Sequence, residues 1–179
     1  MRHNMKATHQ GTCQVCGRRQ KLPGDMLSAH GYTVQWSCFV GTCWGSGHAP
    51  FEVAIDLIQN AIERAEANAH SLTLDAAAAE AETDHVWINE FIRSTRLGPI
   101  YEWRHLQVGE VKVGYDVEYV GKDDRRHRAP TYGKGIAYLN KQYADHLRRL
   151  AQKNLDYAAW QRRRIDGWKP HPEKLVPIK

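Results

Sequence analysis

The apolar positions of this chain change period several times, and each change predicts an element. From Pro50, Phe51, Ala54, Ile55, Ile58, Ile62, Ala65 and Ala69 recur three or four apart with acids opposite. That is the signature of an amphipathic helix, with Pro50 at its first position and Glu52 near the positive end of its dipole. Ser71–Thr73 reads as a short break, with Thr73 able to cap a second helix over 74–97. In that helix Leu74, Ala78, Ala81, His85, Ile88 and Ile92 make a heptad-like, coiled-coil seam. Two helices with a short connection predict an antiparallel hairpin. Gly98 and Pro99 end it.

The period then falls to two. Val111, Val113, Tyr115, Val117 and Tyr119 alternate with polar or small residues, as a half-buried strand requires. Tyr101, Trp103 and His105 alternate upstream, so 100–107 is expected to pair with this strand across the turn at Gly109. Residues 121–135 read as a charged, glycine-rich loop. A long helix follows over 136–166, striped by Ile136, Leu139, Tyr143, Leu147, Leu150 and Tyr157, interrupted at Asn154 and ended by Gly167. Trp168 is placed to pack back, and the last residues read as an exposed, proline-rich tail. The expected fold is mainly α: a front module over 1–49, then a helical domain over 50–179 with one β-hairpin at about 100–120.

Composition narrows the class. Of 179 residues, 42% are apolar and 25% charged, a globular balance. No apolar run is long enough to cross a bilayer, and MRHNMKATHQ lacks a secretory signal's apolar stretch, so cytoplasmic residence is expected. The net charge of +5 is uneven: +4 over residues 1–50, −6 over 51–99 and +7 over 100–179. Such a layout suits a polyanionic partner, or two helix faces that neutralise one another.

All four cysteines fall between residues 13 and 43. Cys13 and Cys16 form C-x-x-C followed by Gly17, a turn that presents two thiolates to one ion. In a reducing compartment such clustering favours a metal over disulfides. The remaining ligands would come from His30, Cys38, Cys43 and His48, and spacing does not choose between Cys38 and His30. Four protein ligands would leave no open position on the ion, so its role would be structural.

C-x-x-C, a later "HGY", then a cysteine with a glycine two residues on, and soon "PFE", resembles a largely uncharacterised family of small zinc-binding proteins of bacteriophages and prophages. The resemblance spans residues 13–52 and extends to "YAAWQRRRIDGWKP". It implies one structural zinc ion held by Cys13, Cys16, His30 and Cys43, with Cys38 a non-ligand near Trp36 and Phe39. It also implies an accessory protein working in the host cytoplasm.

No catalytic constellation stands out. There is no G-x-S-x-G, phosphate-cradling glycine loop or H-E-x-x-H. His85 reads as a packed histidine. Asp84-His85 and Asp145-His146 are sequence neighbours that do not face each other on a helix. A zinc-associated nuclease lacks a placed asparagine after His48 until Asn60. The expected function is therefore non-enzymatic binding of host nucleic acid or a nucleoprotein complex. Its contacts would be Arg18, Arg19 and Lys21, then Arg125, Arg126, Arg128 and Lys134, then Arg162, Arg163 and Arg164. The alternative is an inhibitor or adaptor that turns its acidic helical hairpin on a host protein, for example a defence protein. A virion component is a third reading, and the exposed aromatics would allow a homodimer.

Overall fold

Helix α1, Asp56–Ala81, is one uninterrupted element where two helices were expected. Thr73 does not cap anything; its hydroxyl donates to the Ala69 carbonyl one turn back, so the backbone continues through 71–73. The start is also later than Pro50. Residues 51–53 form a turn in which Val53 and Ala54 amides donate to the Pro50 carbonyl. Glu52 is drawn off to Thr12, accepting from its amide and its hydroxyl. The computed structural model describes residues 6–31, 34–35, 38–39 and 42–178, with the side chains of 34, 35, 38 and 39 excepted.

The chain divides into two compact units, 1–65 with 157–179, and 66–156. The sequence division at 49/50 falls inside the first of them.

In the first unit β1, His9–Thr12, lies between β2, Arg19–Leu22, and the C-terminal β9, Val176–Pro177, with both pairings antiparallel. The expected free tail is thus tied down: Ile178 donates to the Thr8 carbonyl, and His171 to that of Glu52. Trp168 packs back on Phe51, donating its indole N–H to the Phe51 carbonyl at 3.0 Å. A two-residue pair, β3 Val34–Gln35 with β4 Cys38–Phe39, completes the strands described here. One small core joins Cys13, Leu22 and Leu27 with Val15, Cys43 and Leu175. Another joins Ile58, Ile62, Ala65 and Ala158 with Phe51, Ile55 and Ile165.

The second unit overturns the mainly-α expectation. Residues 85–95 are a strand, β5 (His85–Thr95), and pair with β6 (Gly98–Gln107) in a long ribbon. The helical hairpin is therefore absent, and with it the acidic hairpin on which the adaptor reading relied. Asn140, fully buried on the last helix, supplies the reason the chain leaves α1. Its amide donates to the carbonyls of Glu82 and His85, and its oxygen accepts the Trp87 amide. The β-hairpin near 100–120 is also re-partnered: β6 pairs backward to β5, while β7, Asp116–Val120, pairs forward to β8, Arg126–Pro130. A third of the expected loop at 121–135 is thus strand. Helix α2, Ile136–Ile165, is the long C-terminal helix foreseen. Val86, Ile88, Leu106, Val111, Val117, Tyr119 and Leu139 form the core of this unit. Ala76 and Ala144 beside Leu147 form a second cluster, where small residues permit close approach. Helices and strands share the chain, so the fold is α+β.

Candidate metal centre

Four side chains converge at the front of the first unit. A ligand atom from each of Cys13, Cys16, His30 and Cys43 lies within 4.8 Å of the other three. The backbone builds this from tight turns. The Gly17 amide returns to the Cys13 carbonyl, and the Cys13 amide takes the Arg18 carbonyl, with Gly17 at a φ of 72°. Opposite, the Cys43 amide donates to the His30 carbonyl at 2.8 Å and the Ser46 amide to that of Cys43. Two glycines are sterically required. A Cβ on Gly31 would meet that of Cys43 at 2.5 Å, and one on Gly45 would collide with the Cys13 sulfur.

The chemistry of His30 tests whether an ion fits. The residue is 4% exposed. Nδ1 lies 2.7 Å from the Ser28 carbonyl, an acceptor only, so Nδ1 carries the proton. That leaves the lone pair on Nε2, which is buried and has no hydrogen-bond partner. An orphaned buried acceptor costs about 1–3 kcal/mol. A cation held with the three sulfurs removes that cost, and the Ser28 carbonyl is the outer partner that fixes a ligating imidazole. Cys13 and Cys43 sulfurs are 3.7 Å apart and unbridged. Burial pushes the Cys13 thiol up to about 12, so without an ion this sulfur stays protonated.

These are the four residues that the resemblance implied as ligands. His48 is exposed and outside the group, its amide and carbonyl spent on Gly45 and Leu27. Cys38 is in β4, but its side chain, like Phe39's and like Trp36 altogether, lies outside the described residues, and so does its expected place as a non-ligand.

The C-x-x-C turn is fastened on its inner side by a residue that spacing arguments pass over. Gln14, fully buried, accepts the Leu57 amide at 3.1 Å and donates to the Ala49 carbonyl and to Asp56. It thereby caps α1 in place of a residue next in sequence. Arg164 donates to the Gln14 carbonyl at 2.8 Å and lies over the rings of Phe51 and Trp160. Among the arginines expected to contact nucleic acid, this one thus engages the C-x-x-C turn through its side chain.

The other basic residues are distributed over both units. Arg18, Arg19 and Lys21 are exposed on the first, as are Arg162, which has an interaction partner, and Arg163. On the second, Arg125, Arg126, Arg128 and Lys134 are exposed, Arg128 paired with Glu118 at 3.0 Å and Arg125 beside Asp123. Lys134 lies over the Tyr138 ring. Trp44, unremarked in the sequence reading, is 75% exposed next to Cys43, with the Arg64 guanidinium 5.7 Å from its ring centre. Its position between a cysteine and a glycine was the available signal.

A second group, Glu90, Asp123 and His127, already has hydrogen-bond partners for its donor atoms. Arg104 and the Lys122 amide occupy the two oxygens of buried Glu90, while His127 holds Asp123 below the usual carboxylate range. His85 stacks on His105 at 4.5 Å, a packed histidine as expected. No helix among the described residues is long and apolar enough to cross a membrane. The chain matches no protein-family model, no curated protein and no solved structure.

Proposed function

We propose that the chain is a zinc-ordered accessory protein that binds nucleic acid and performs no chemistry of its own, of the phage or prophage kind its front module resembles. Three sulfurs and an imidazole are a donor set suited to tetrahedral Zn²⁺, and with four protein ligands the ion has no place for water or substrate. Its work is to hold together two glycine-rich turns that have only a small apolar core.

The observation that carries the nucleic-acid reading is Trp44. A large aromatic left 75% exposed, on the turn that supplies Cys43, offers a flat face to a base. The facing C-x-x-C turn leads into exposed Arg18, Arg19 and Lys21, which supply phosphate contacts. The test is a titration of a labelled single-stranded oligonucleotide at low salt. Binding falls steeply with added salt as counterions are released, and Trp44→Ala weakens it roughly tenfold, the worth of one stacked base. Absence of binding at low salt would overturn the reading.

A further inference from the structure

The ribbon of β5 and β6 is anchored at one end only. Its root is buried through Val86, Ile88 and Leu106, and Glu90 there is paired with Arg104 at 3.0 Å. Beyond Glu90, residues 91–97 and 99–102 are all exposed, on both faces of the ribbon. Each strand pairs only with the other among the described residues. Five residues beyond the root extend about 17 Å at roughly 3.3 Å each.

This free half has a consistent chemistry. From Phe91 to Tyr101 it carries Arg93 and Arg96 and no acid. Phe91, Ile100 and Tyr101 are apolar or aromatic and exposed. The tip is held in shape. Thr95 pairs with Gly98 around Arg96 and Leu97, and its hydroxyl donates to the Gly98 carbonyl while accepting the Leu97 amide. Leu97 is thereby fixed at the apex, 85% exposed, with Pro99 just behind it. A register shift between Phe91 and Arg93 marks where the free half departs from the anchored half, as a bulge does.

We infer that this ribbon is an arm that enters a groove of duplex DNA, with Arg93 and Arg96 on the phosphates and groove wall and Leu97 as the apolar tip. The ligand class rests on the nucleic-acid reading above; the surface is a different one. Charge selects a polyanion, and the shape selects B-form DNA. A two-stranded ribbon fits a major groove about 12 Å wide and about 8.5 Å deep, whereas the A-form major groove of RNA is too narrow for it. An apolar residue fixed at the apex suits contact with the thymine methyl groups that line this groove.

The experiment uses the full zinc-loaded chain with three labelled probes: a short DNA duplex, an RNA duplex of the same sequence, and a single strand. The expected result is tighter binding of the DNA duplex than of the RNA duplex. Arg93→Ala/Arg96→Ala weakens DNA-duplex binding at least tenfold and reduces the salt slope by about 2, at roughly 0.9 per phosphate contact. Leu97→Ser weakens binding without changing that slope. Arg93→Gln/Arg96→Gln, which keeps much of the aliphatic stems, repeats the loss should the alanine pair melt early. Duplex binding unchanged in these variants overturns the arm, and loss of single-strand binding in Trp44→Ala then leaves the front-module reading standing. Conversely, ribbon-dependent duplex binding with single-strand affinity untouched by Trp44→Ala keeps the arm and removes the front-module reading. Ribbon-dependent self-association in sedimentation, without duplex binding, assigns this face to a second copy and overturns the arm.

Discussion

The turns around residues 13–47 and the second unit of this protein are built around different centres. In 66–156, strands and helices contribute Val86, Ile88, Leu106, Val117, Tyr119 and Leu139 to one continuous apolar core. In the front unit, the turns around residues 13–47 contribute little beyond Leu22 and Leu27, with Val15 at the margin, and their centre is a cluster of sulfur and imidazole. Apolar burial grows with the length of patterned segments, and short glycine-rich turns have no such pattern to bury. On the zinc reading, ligand chemistry takes the place of such burial in these turns.

Removing metal is the strongest way to break this comparison. On the zinc reading, a chelator strips one equivalent of ion, and amides of Cys13, Gly17 and Cys43 lose hydrogen-exchange protection. Those of β5 before Glu90 and of α2 before Tyr157 keep theirs. The energy at stake is on the order of 10 kcal/mol, the scale of structural zinc sites. Equal loss of protection in both units would erase the distinction. Next in size is Ile88→Ala, which leaves a cavity in the second core and lowers stability by about 3 kcal/mol in urea unfolding, with zinc content unchanged. The smallest effect sharpens the picture of the surface. Arg148, hydrogen-bonded to Glu80, holds that carboxyl below its ordinary range. A lowered folded-state pKa gives stability that is present above the unfolded value and lost as pH falls through the folded one. Glu80→Gln should therefore lower Tm slightly at neutral pH, and the gap from wild type should close in acid.

What could be read from the sequence follows the same division. The candidate donors were legible because thiol and imidazole are metal-binding groups by their own chemistry, whereas preferring His30 to Cys38 rested on resemblance. Helix α2 was legible because its period runs from Ile136 to Tyr157 with one interruption, at Asn154. Strand β5 was not, because the alanines of 76–81 carry helical period up to His85, and Ile88 and Ile92 happen to sit four apart. The alternation of Val86 and Ile88 among β-branched and aromatic neighbours was the competing signal. Pairing was harder still. Residues 100–107 were recognised as a strand, but which neighbour it joins depends on Asn140, more than thirty residues away, holding the Glu82 carbonyl. A short-range pattern has no term for such a bond. The bend at Ser71–Thr73 failed for a related reason, since one hydroxyl decides whether threonine caps a helix or rides within it.

Gln14 carries a consequence for which sequences this front module can tolerate. Leu57 needs an acceptor there, while Ala49 and Asp56 need a donor. Only an amide of that reach offers both at once. A glutamate would set two carboxylates against each other, and a methionine of similar size would leave three partners unanswered. Variation between the first two cysteines should therefore be confined to Val15, and a screen of all twenty residues at position 14 should return glutamine.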